Sequence, residues 1–221
     1  MSYQYELHCH TAPVSRCAET SPEEAARLYI EAGYDGVVVT DHMNRYTFQA
    51  LPDGMSWEEQ VAHFLSGWRR FREAAGEKLT VLLGMELRFD ENDNDYLVYG
   101  IDEEFLLAHP DLMEMRPVSF SFLARENGLL FYQAHPFRDG MTVVYPELLD
   151  GIESYNGHPG HESRNDIASI WARKYDLLQI SGSDFHFPDA CGCGGIRTEK
   201  PIRDNRDLIA ALRARPQLIR R

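Results

Sequence analysis

Histidines and carboxylates recur at the ends of short apolar runs in this chain. His8-Cys9-His10 closes the first run, Thr40-Asp41-His42 the second and Gly84-Met85-Glu86 the third, while Ala134-His135-Pro136, Glu153 and Ser183-Asp184-Phe185-His186 mark later ones. Neutral imidazole and carboxylate suit zinc, manganese and iron, and one carboxylate can bridge two ions. Residues two apart on an extended segment point the same way, so His8 and His10 can hold one ion, and Asp184 and His186 can share a site. One His-x-His pair arises by chance, but the joint pattern is far more specific. The chemistry it points to is metal-assisted hydrolysis, in which bound ions lower the pKa of a coordinated water toward ~7 and make hydroxide available at neutral pH.

Attack on phosphorus would spread negative charge over the equatorial oxygens, and Arg138, three residues past His135, is the expected stabilising cation. Arg197 and Arg164 are second choices, each also readable as a solvated charge. Leaving-group protonation falls to His186, Asp41 or a metal-bound water. No Gly-x-Ser-x-Gly elbow and no P-loop fingerprint occurs, which fits a route without a covalent intermediate. His63 and His109 lie off the pattern and are assigned to surface or packing. His158 and His161, after a strand end, stand between ligand and bystander.

These residues need a scaffold that gathers strand ends. Short apolar runs alternating with amphipathic ones predict strands at Tyr3–His8, Gly36–Thr40, Leu79–Glu86, Tyr96–Ile101, Leu129–His135, Gly151–Tyr155 and Leu177–Ser183. Ser21-Pro22-Glu23-Glu24 opens a helix that stops at Gly33, and Ser56-Trp57-Glu58-Glu59 opens another running to about Ala75. Further helices are predicted at Pro117–Asn127, Glu162–Tyr175 and Asn205–Ala214. The acidic run from Asp90 to Asp95 reads as a turn between strands. This α/β alternation suggests a parallel sheet, barrelled or open, whose function collects at the carboxyl ends of its strands.

The bulk numbers frame the same picture. At 221 residues the chain is expected to form one domain, residues 1–221, with a core that needs no disulfide support. The four cysteines lack the spacing of a zinc knuckle or a secreted scaffold, so free thiols are expected. No N-terminal leader pattern is read, and no segment nears the ~20 apolar residues of a membrane span, which predicts a cytoplasmic protein without a membrane partner. A net charge of −13 argues against duplex nucleic acid. Bound cations would offset that charge locally, so a small anionic substrate at a metal-loaded site stays open as the partner. No feature sets an oligomeric state.

With those residues assembled, the sequence resembles the PHP family, the polymerase and histidinol phosphatase superfamily. His8-Cys9-His10-Thr11 is similar to its first motif, Thr40-Asp41-His42 to its second, Glu86 with Ala134-His135-Pro136 to its third, and Gly182-Ser183-Asp184-Phe185-His186 to its fourth. The resemblance implies a distorted seven-stranded (β/α) barrel, TIM-like, with a trinuclear metal centre at its C-terminal rim and phosphoesterase activity; for this chain two or three divalent ions (Zn, Mn or Fe) are expected, with a phosphate ester as the small anionic substrate. It assigns His8, His10, Glu86 and Asp184 to the first ion, Glu86 and His135 to the second, and His42 and His186 to the third, with Asp41 orienting ligands.

The sequence departs from the family pattern twice. Where a further His or Asp completes the third site, this chain reads Ala12-Pro13-Val14-Ser15-Arg16-Cys17, in which only Cys17 could serve. Where a second histidine completes site two, Asp95 stands as a carboxylate substitute, the alternative being its place in the acidic turn. The rival functions are hydrolysis of amides or other esters, a nuclease acting on short oligonucleotides, and a non-catalytic metal-binding module.

Overall fold

The computed structural model describes residues 2–221. Met1, the first residue of the N-terminal stretch read above, lies outside the described residues. The strands are β1 (Tyr3–Cys9), β2 (Gly36–Val39), β3 (His42–Met43), β4 (Thr80–Arg88), β5 (Asp95–Tyr99), β6 (Leu130–Gln133), β7 (Gly151–Asn156), β8 (Leu178–Gly182), β9 (Gly194–Thr198) and β10 (Gln217–Arg220). The α-helices are α1 (Pro22–Glu31), α2 (Arg45–Phe48), α3 (Trp57–Ala75), α4 (Glu103–Ala108), α5 (Pro117–Glu126), α6 (Asn165–Lys174) and α7 (Asn205–Arg213). Among the described residues, no helix is long and apolar enough to cross a membrane.

All seven predicted strands form, and they belong to one sheet in the order β10-β9-β1-β2-β4-β5-β6-β7-β8, with β3 also on β4. The sheet curls until its ends nearly meet. Past β8, Phe185 bridges back to β1, donating from its N–H to the His8 carbonyl (3.1 Å) and accepting from the His10 N–H (2.9 Å). The result is a mixed α/β, nearly closed barrel. Its strand count exceeds the expected seven because β3, β9 and β10 are too short, or too rich in glycine, to give an apolar run.

The sheet is not wholly parallel, which corrects the expectation. β5 runs antiparallel to both β4 and β6, and β9 runs antiparallel to β1 and β10. The β4–β5 connection is the short acidic turn, and a link of that length permits only a hairpin, since a parallel crossover needs a dozen or more residues. The reversal puts the start of β5, Asp95, at the same rim as the end of β4.

Local chemistry sets the helices. Ser56 and Glu59 form a reciprocal capping box at α3, and the Ser21 hydroxyl accepts from Glu24 N–H at α1. The α6 helix starts three residues later than predicted, at Asn165, because Arg164 takes a left-handed backbone (φ 48°). Tyr5, Leu7, Tyr99, Tyr132 and Ile180 fill the lumen, where the Tyr99 hydroxyl crosses to the Leu7 carbonyl (3.0 Å). Leu208 and Leu212 of α7 join this cluster, at the end away from the rim. The outer layers pack α1 and α3 on β2 and β4, and α5 and α6 on β6 and β7.

The barrel closes over a polar knot. A bulge shifts the register of β1 between Glu6 and Cys9, and the fully buried Glu6 carboxylate collects the donors there. Its Oε1 accepts from Leu7 N–H (3.0 Å), His8 N–H (3.0 Å) and Ser183 N–H (2.8 Å), and its Oε2 from the hydroxyls of Tyr29 and Ser183. Ser183 Oγ in turn accepts from Gly194 N–H (2.9 Å), so one carboxylate ties together β1, the end of β8 and β9. Burial pushes Glu6 above the usual carboxylate range even though Ser183, His8 and Tyr29 pull it down. Glu6→Ala strands several buried donors, and urea unfolding of the metal-free protein is expected to show a loss of about 3–5 kcal/mol. Glu6→Gln, which keeps an acceptor, should lose clearly less, and equal stability for Glu6→Ala and wild type would remove the knot from this account.

Candidate metal centre

The rim carries one buried cluster of imidazoles and carboxylates. Glu86, near the end of β4 and 1% exposed, is its hub. Its Oε1 lies 3.3 Å from His8 Nε2 and 3.1 Å from His135 Nε2, and its Oε2 lies 3.3 Å from His10 Nε2 and 2.7 Å from His42 Nδ1. Asp184 Oδ1 faces His8 Nε2 (3.4 Å), His10 Nε2 (3.4 Å) and His186 Nδ1 (3.3 Å). Four groups of three result, each with ligand atoms within 4.8 Å of one another: His8, His10 and Asp184; His8, Glu86 and His135; His10, His42 and His186; and His42, Glu86 and Asp95. The short β3 explains one placement, since it sets His42 directly beside Glu86 in register.

Three of the imidazoles, His8, His10 and His186, are aimed by a partner on the other ring nitrogen. His8 Nδ1 sits 2.9 Å from Glu153 Oε1, and His186 Nδ1 donates to the Asp184 carbonyl (2.9 Å). His10 Nδ1 donates to Ser15 Oγ (3.0 Å), whose own proton goes to Asp41 Oδ1 (2.7 Å). Thr11 fills the remaining Asp41 positions through its N–H (2.7 Å) and hydroxyl (2.6 Å), and Asp41 does not line the cavity. Glu153 Oε2 accepts from His135 N–H (2.9 Å) and Asn156 Nδ2 (3.0 Å), and Asn156 also donates to Asp184 (3.1 Å). A carboxylate or carbonyl behind a histidine fixes the tautomer and turns the other nitrogen's lone pair inward. A Cβ at Gly182 would overlap that of His8 and come within 2.8 Å of Glu153 Oε1, so glycine is required there.

The inward atoms fit divalent cations. His8 Nε2, His10 Nε2, His42 Nδ1 and Glu86 Oε2 are buried without a hydrogen-bond partner. Such orphans are rare in a folded protein unless a ligand completes them. His135 (φ 26°) and Asp184 (φ 49°) hold left-handed backbones at the end of their strands, a cost tolerated where a side chain must be aimed. Burial would raise the Glu86 and Asp184 carboxyls, but His8 and the other imidazoles outweigh it and hold both well below the usual range. Burial would likewise lower His8, yet Asp184, Glu153 and Glu86 hold it well above the usual range. Cations would take the place of these protons.

An open cavity of about 340 Å³ leads to the cluster, lined also by Arg88, Arg138, His158, His161 and Phe187. A larger one of about 500 Å³, between α3, β4 and the start of α7, holds none of the metal-ligand groups. Asp95 reaches the rim, but both its oxygens are taken by Arg88 (2.7 and 2.8 Å), with Arg138 Nη2 at 3.4 Å and His135 Nε2 at 4.0 Å. Arg164 is committed to the Phe137 carbonyl and Asp139, and Arg197 pairs with Gln4 in the sheet; neither lines the cavity. His109 caps onto the Phe105 carbonyl (2.7 Å), and His63 belongs to none of the clusters. The sequence reading counted Glu153 among the strand-end ligand types without assigning it to an ion, and passed over Ser15, Asn156 and Arg88. Only Arg88 carried a signal, two residues after Glu86 on one strand face.

Cys17 lies 3.2 Å from both His42 Nε2 and His186 Nε2. Partial desolvation pushes its thiol up, but the hydrogen bonds from His186 and His42 outweigh it and bring it to about 5.

Comparison with known proteins adds a family. The model of the PHP domain matches residues 6–185, and that of a PHP-associated segment matches residues 162–216. No curated protein matches the sequence. Among solved structures, PsfC from Pseudomonas syringae is 18% identical with a TM-score of 0.67, over 95% of this chain and 88% of its own. A Bifidobacterium adolescentis protein described as a candidate metal-dependent phosphoesterase is 16% identical with a TM-score of 0.55, over 94% and 95%. Endonuclease Q, in complex with a 27-mer duplex carrying an abasic lesion at its active site, is 14% identical with a TM-score of 0.65, over 97% of this chain and 57% of its own. That complex overturns the exclusion of duplex nucleic acid, and with it the restriction of the partner to a small anionic substrate. Net charge sums the whole surface, whereas binding depends on local fields and on the charge of any bound cations.

The thiol gives a direct test of the third ligand group. An ordinary thiol loses its thiolate as pH falls below about 8.5, but Cys17 should keep it down to about 5. Iodoacetamide labelling of the metal-free protein, followed by mass spectrometry, should therefore stay fast at pH 6 at Cys17 alone. Burial pushes Cys191 up to about 12 and raises Cys9 and Cys193 too. Added zinc should suppress labelling, and unchanged labelling of zinc-loaded protein would remove Cys17 from the ligands.

Proposed function

The chain belongs to the PHP-domain family, and on that premise we propose that it is a metal-dependent hydrolase that cleaves a phosphate ester. The observation that carries this reading is the set of buried, unpartnered imidazole nitrogens facing Glu86 and Asp184 at the foot of an open cavity. Structural metal sites are closed, whereas catalytic ones keep a position open to substrate. In this reading His8, His10, Glu86 and Asp184 hold one ion, Glu86 and His135 a second, and His42 and His186, joined by Cys17, a third. Zinc, manganese and iron all suit the imidazole and carboxylate donors, and the thiolate tilts the third position toward zinc. When bound, the ions supply Lewis-acid polarisation and a nucleophile from water near neutral pH.

The protein's own groups do the rest. Glu153, Ser15 with Asp41, and the Asp184 carbonyl hold His8, His10 and His186 in position. Asp41 thus serves catalysis from behind, as a positioning residue. His186 has its Nδ1 proton committed to a carbonyl, so its Nε2 lone pair suits ligation better than proton donation. Arg138 offers the cation for charge that builds on the phosphoryl oxygens. We read the chain as one catalytic domain, because β9 and α7 of the PHP-associated segment, with β10 just past it, are built into the barrel wall and its far end. Four free cysteines fit a cytoplasmic setting.

A second reading, strand scission by the same centre, is favoured by the likeness to endonuclease Q. One set of assays separates the two. Protein purified without chelators is expected to carry two or three ions per chain and to hydrolyse p-nitrophenyl phosphate. His10→Ala should lose at least about a hundredfold in rate, and Glu153→Gln about 10- to 100-fold in metal affinity. Nicking of an abasic duplex without phosphomonoester turnover would select the second reading. Failure to bind zinc, manganese or iron at all would overturn both.

A further inference from the structure

Arg88 and Asp95 face each other across the β4–β5 hairpin, as register partners. The pair is a two-bonded fork: Arg88 Nε to Asp95 Oδ1 at 2.7 Å and Nη2 to Oδ2 at 2.8 Å. Arg138, from the loop after β6, places its Nη2 3.4 Å from the same Oδ2. Two guanidinium groups therefore share one carboxylate oxygen and must sit side by side. The carboxylate is buried, at 1% exposure, while the Arg88 and Arg138 side chains are 23% and 20% exposed and line the cavity. A guanidinium has five N–H donors in a rigid fork. Arg88 spends two on Asp95 and Arg138 one, which leaves seven for a ligand. With Asp95 counted, the trio is a net single positive charge next to Glu86 and His135.

We propose that Arg88 and Arg138, held together by Asp95, form a clamp for two non-bridging oxygens of a terminal phosphate and select monoesters over diesters. The inference rests on the phosphate-ester reading above and deepens it. A phosphoryl group with one oxygen directed at the Glu86–His135 cluster must present its others to the two guanidiniums. A monoester has three non-bridging oxygens and fills all three positions. A diester has two, so an ester oxygen, a poorer acceptor that carries the second substituent, would face one fork. The clamp reads the phosphate and not the group attached to it, so it sets no limit on the size of that group. Asp95 here is a positioning residue whose oxygens serve the arginines, not a metal.

The test uses metal-loaded protein, with p-nitrophenyl phosphate, bis(p-nitrophenyl) phosphate and inorganic phosphate as probes. Wild type should prefer the monoester. Arg138→Ala leaves the Arg88–Asp95 fork in place, and Arg88→Lys keeps the charge while removing the fork. Both should lower monoester kcat/KM by about tenfold to a hundredfold, at least several-fold more than the diester value. Inorganic phosphate should bind more weakly by a similar factor in calorimetry, with metal content unchanged. Asp95→Asn should weaken phosphate binding in the same direction and keep every ion. Equal loss on both esters, or a lost ion in Asp95→Asn, would overturn the clamp. If wild type hydrolyses neither ester, the function fails but the clamp is still judged by phosphate binding across the variants.

Discussion

A barrel built from unequal strands has to be closed, and in this protein closure falls where β1, the end of β8 and β9 converge without a continuous backbone ladder. The Glu6 carboxylate substitutes for the missing ladder. Its two oxygens satisfy the N–H groups freed by the bulge in β1 and those of Ser183. An unpaired buried amide is costly, so the bulge persists only because an acceptor lies beside it. The bulge matters because His8 lies within it and His10 just past it, and Asp184 and His186 follow Ser183. The same interaction that closes the barrel brings the two ends of the candidate centre within reach of each other.

The centre concentrates charge in a place where water cannot screen it. Glu86 and Asp184 are buried among imidazoles, and such a group is tolerable only when each charge has a counter-charge and each polar atom a partner. Behind His8, His10 and His186 that condition is met by Glu153, Ser15 with Asp41, and a main-chain carbonyl. On the inner side it is not met, and the orphaned nitrogens there turn the cluster into a receptor for cations. The outer partners also lock the rings, so the geometry is set before any ion arrives.

The β4–β5 hairpin gives this chain its own character. Reversal of β5 sets Asp95 opposite Arg88, and the loop after β6 adds Arg138, so this rim carboxylate is engaged by two guanidiniums. A forked pair of charged hydrogen bonds is among the stronger polar interactions. The cavity wall beside Glu86 therefore carries cations of the protein's own, fixed in place by a buried anion.

How much of this was legible in the sequence follows from the range of the forces. Capping residues, apolar runs and the acidic turn act over a few positions, and from them the seven main strands, the principal helices and the histidines and carboxylates at strand ends could be read. The family resemblance rested on the same residues. What the tertiary structure alone decided is how equivalent side chains divide their work. Asp41, Asp95, Glu153 and Asp184 are all carboxylates near strand ends, yet Asp41 and Glu153 stand behind histidines, Asp95 engages two arginines at the edge of the cluster, and Asp184 faces the imidazoles of His8, His10 and His186. That division depends on partners far away in the chain, such as Glu153 for His8 and Ser183 for Glu6. Cys17 likewise meets His42 and His186 only because the loop after β1 folds over the rim. Residue type and spacing set which groups could bind a cation; strand order, register and one bulge set which of them face it.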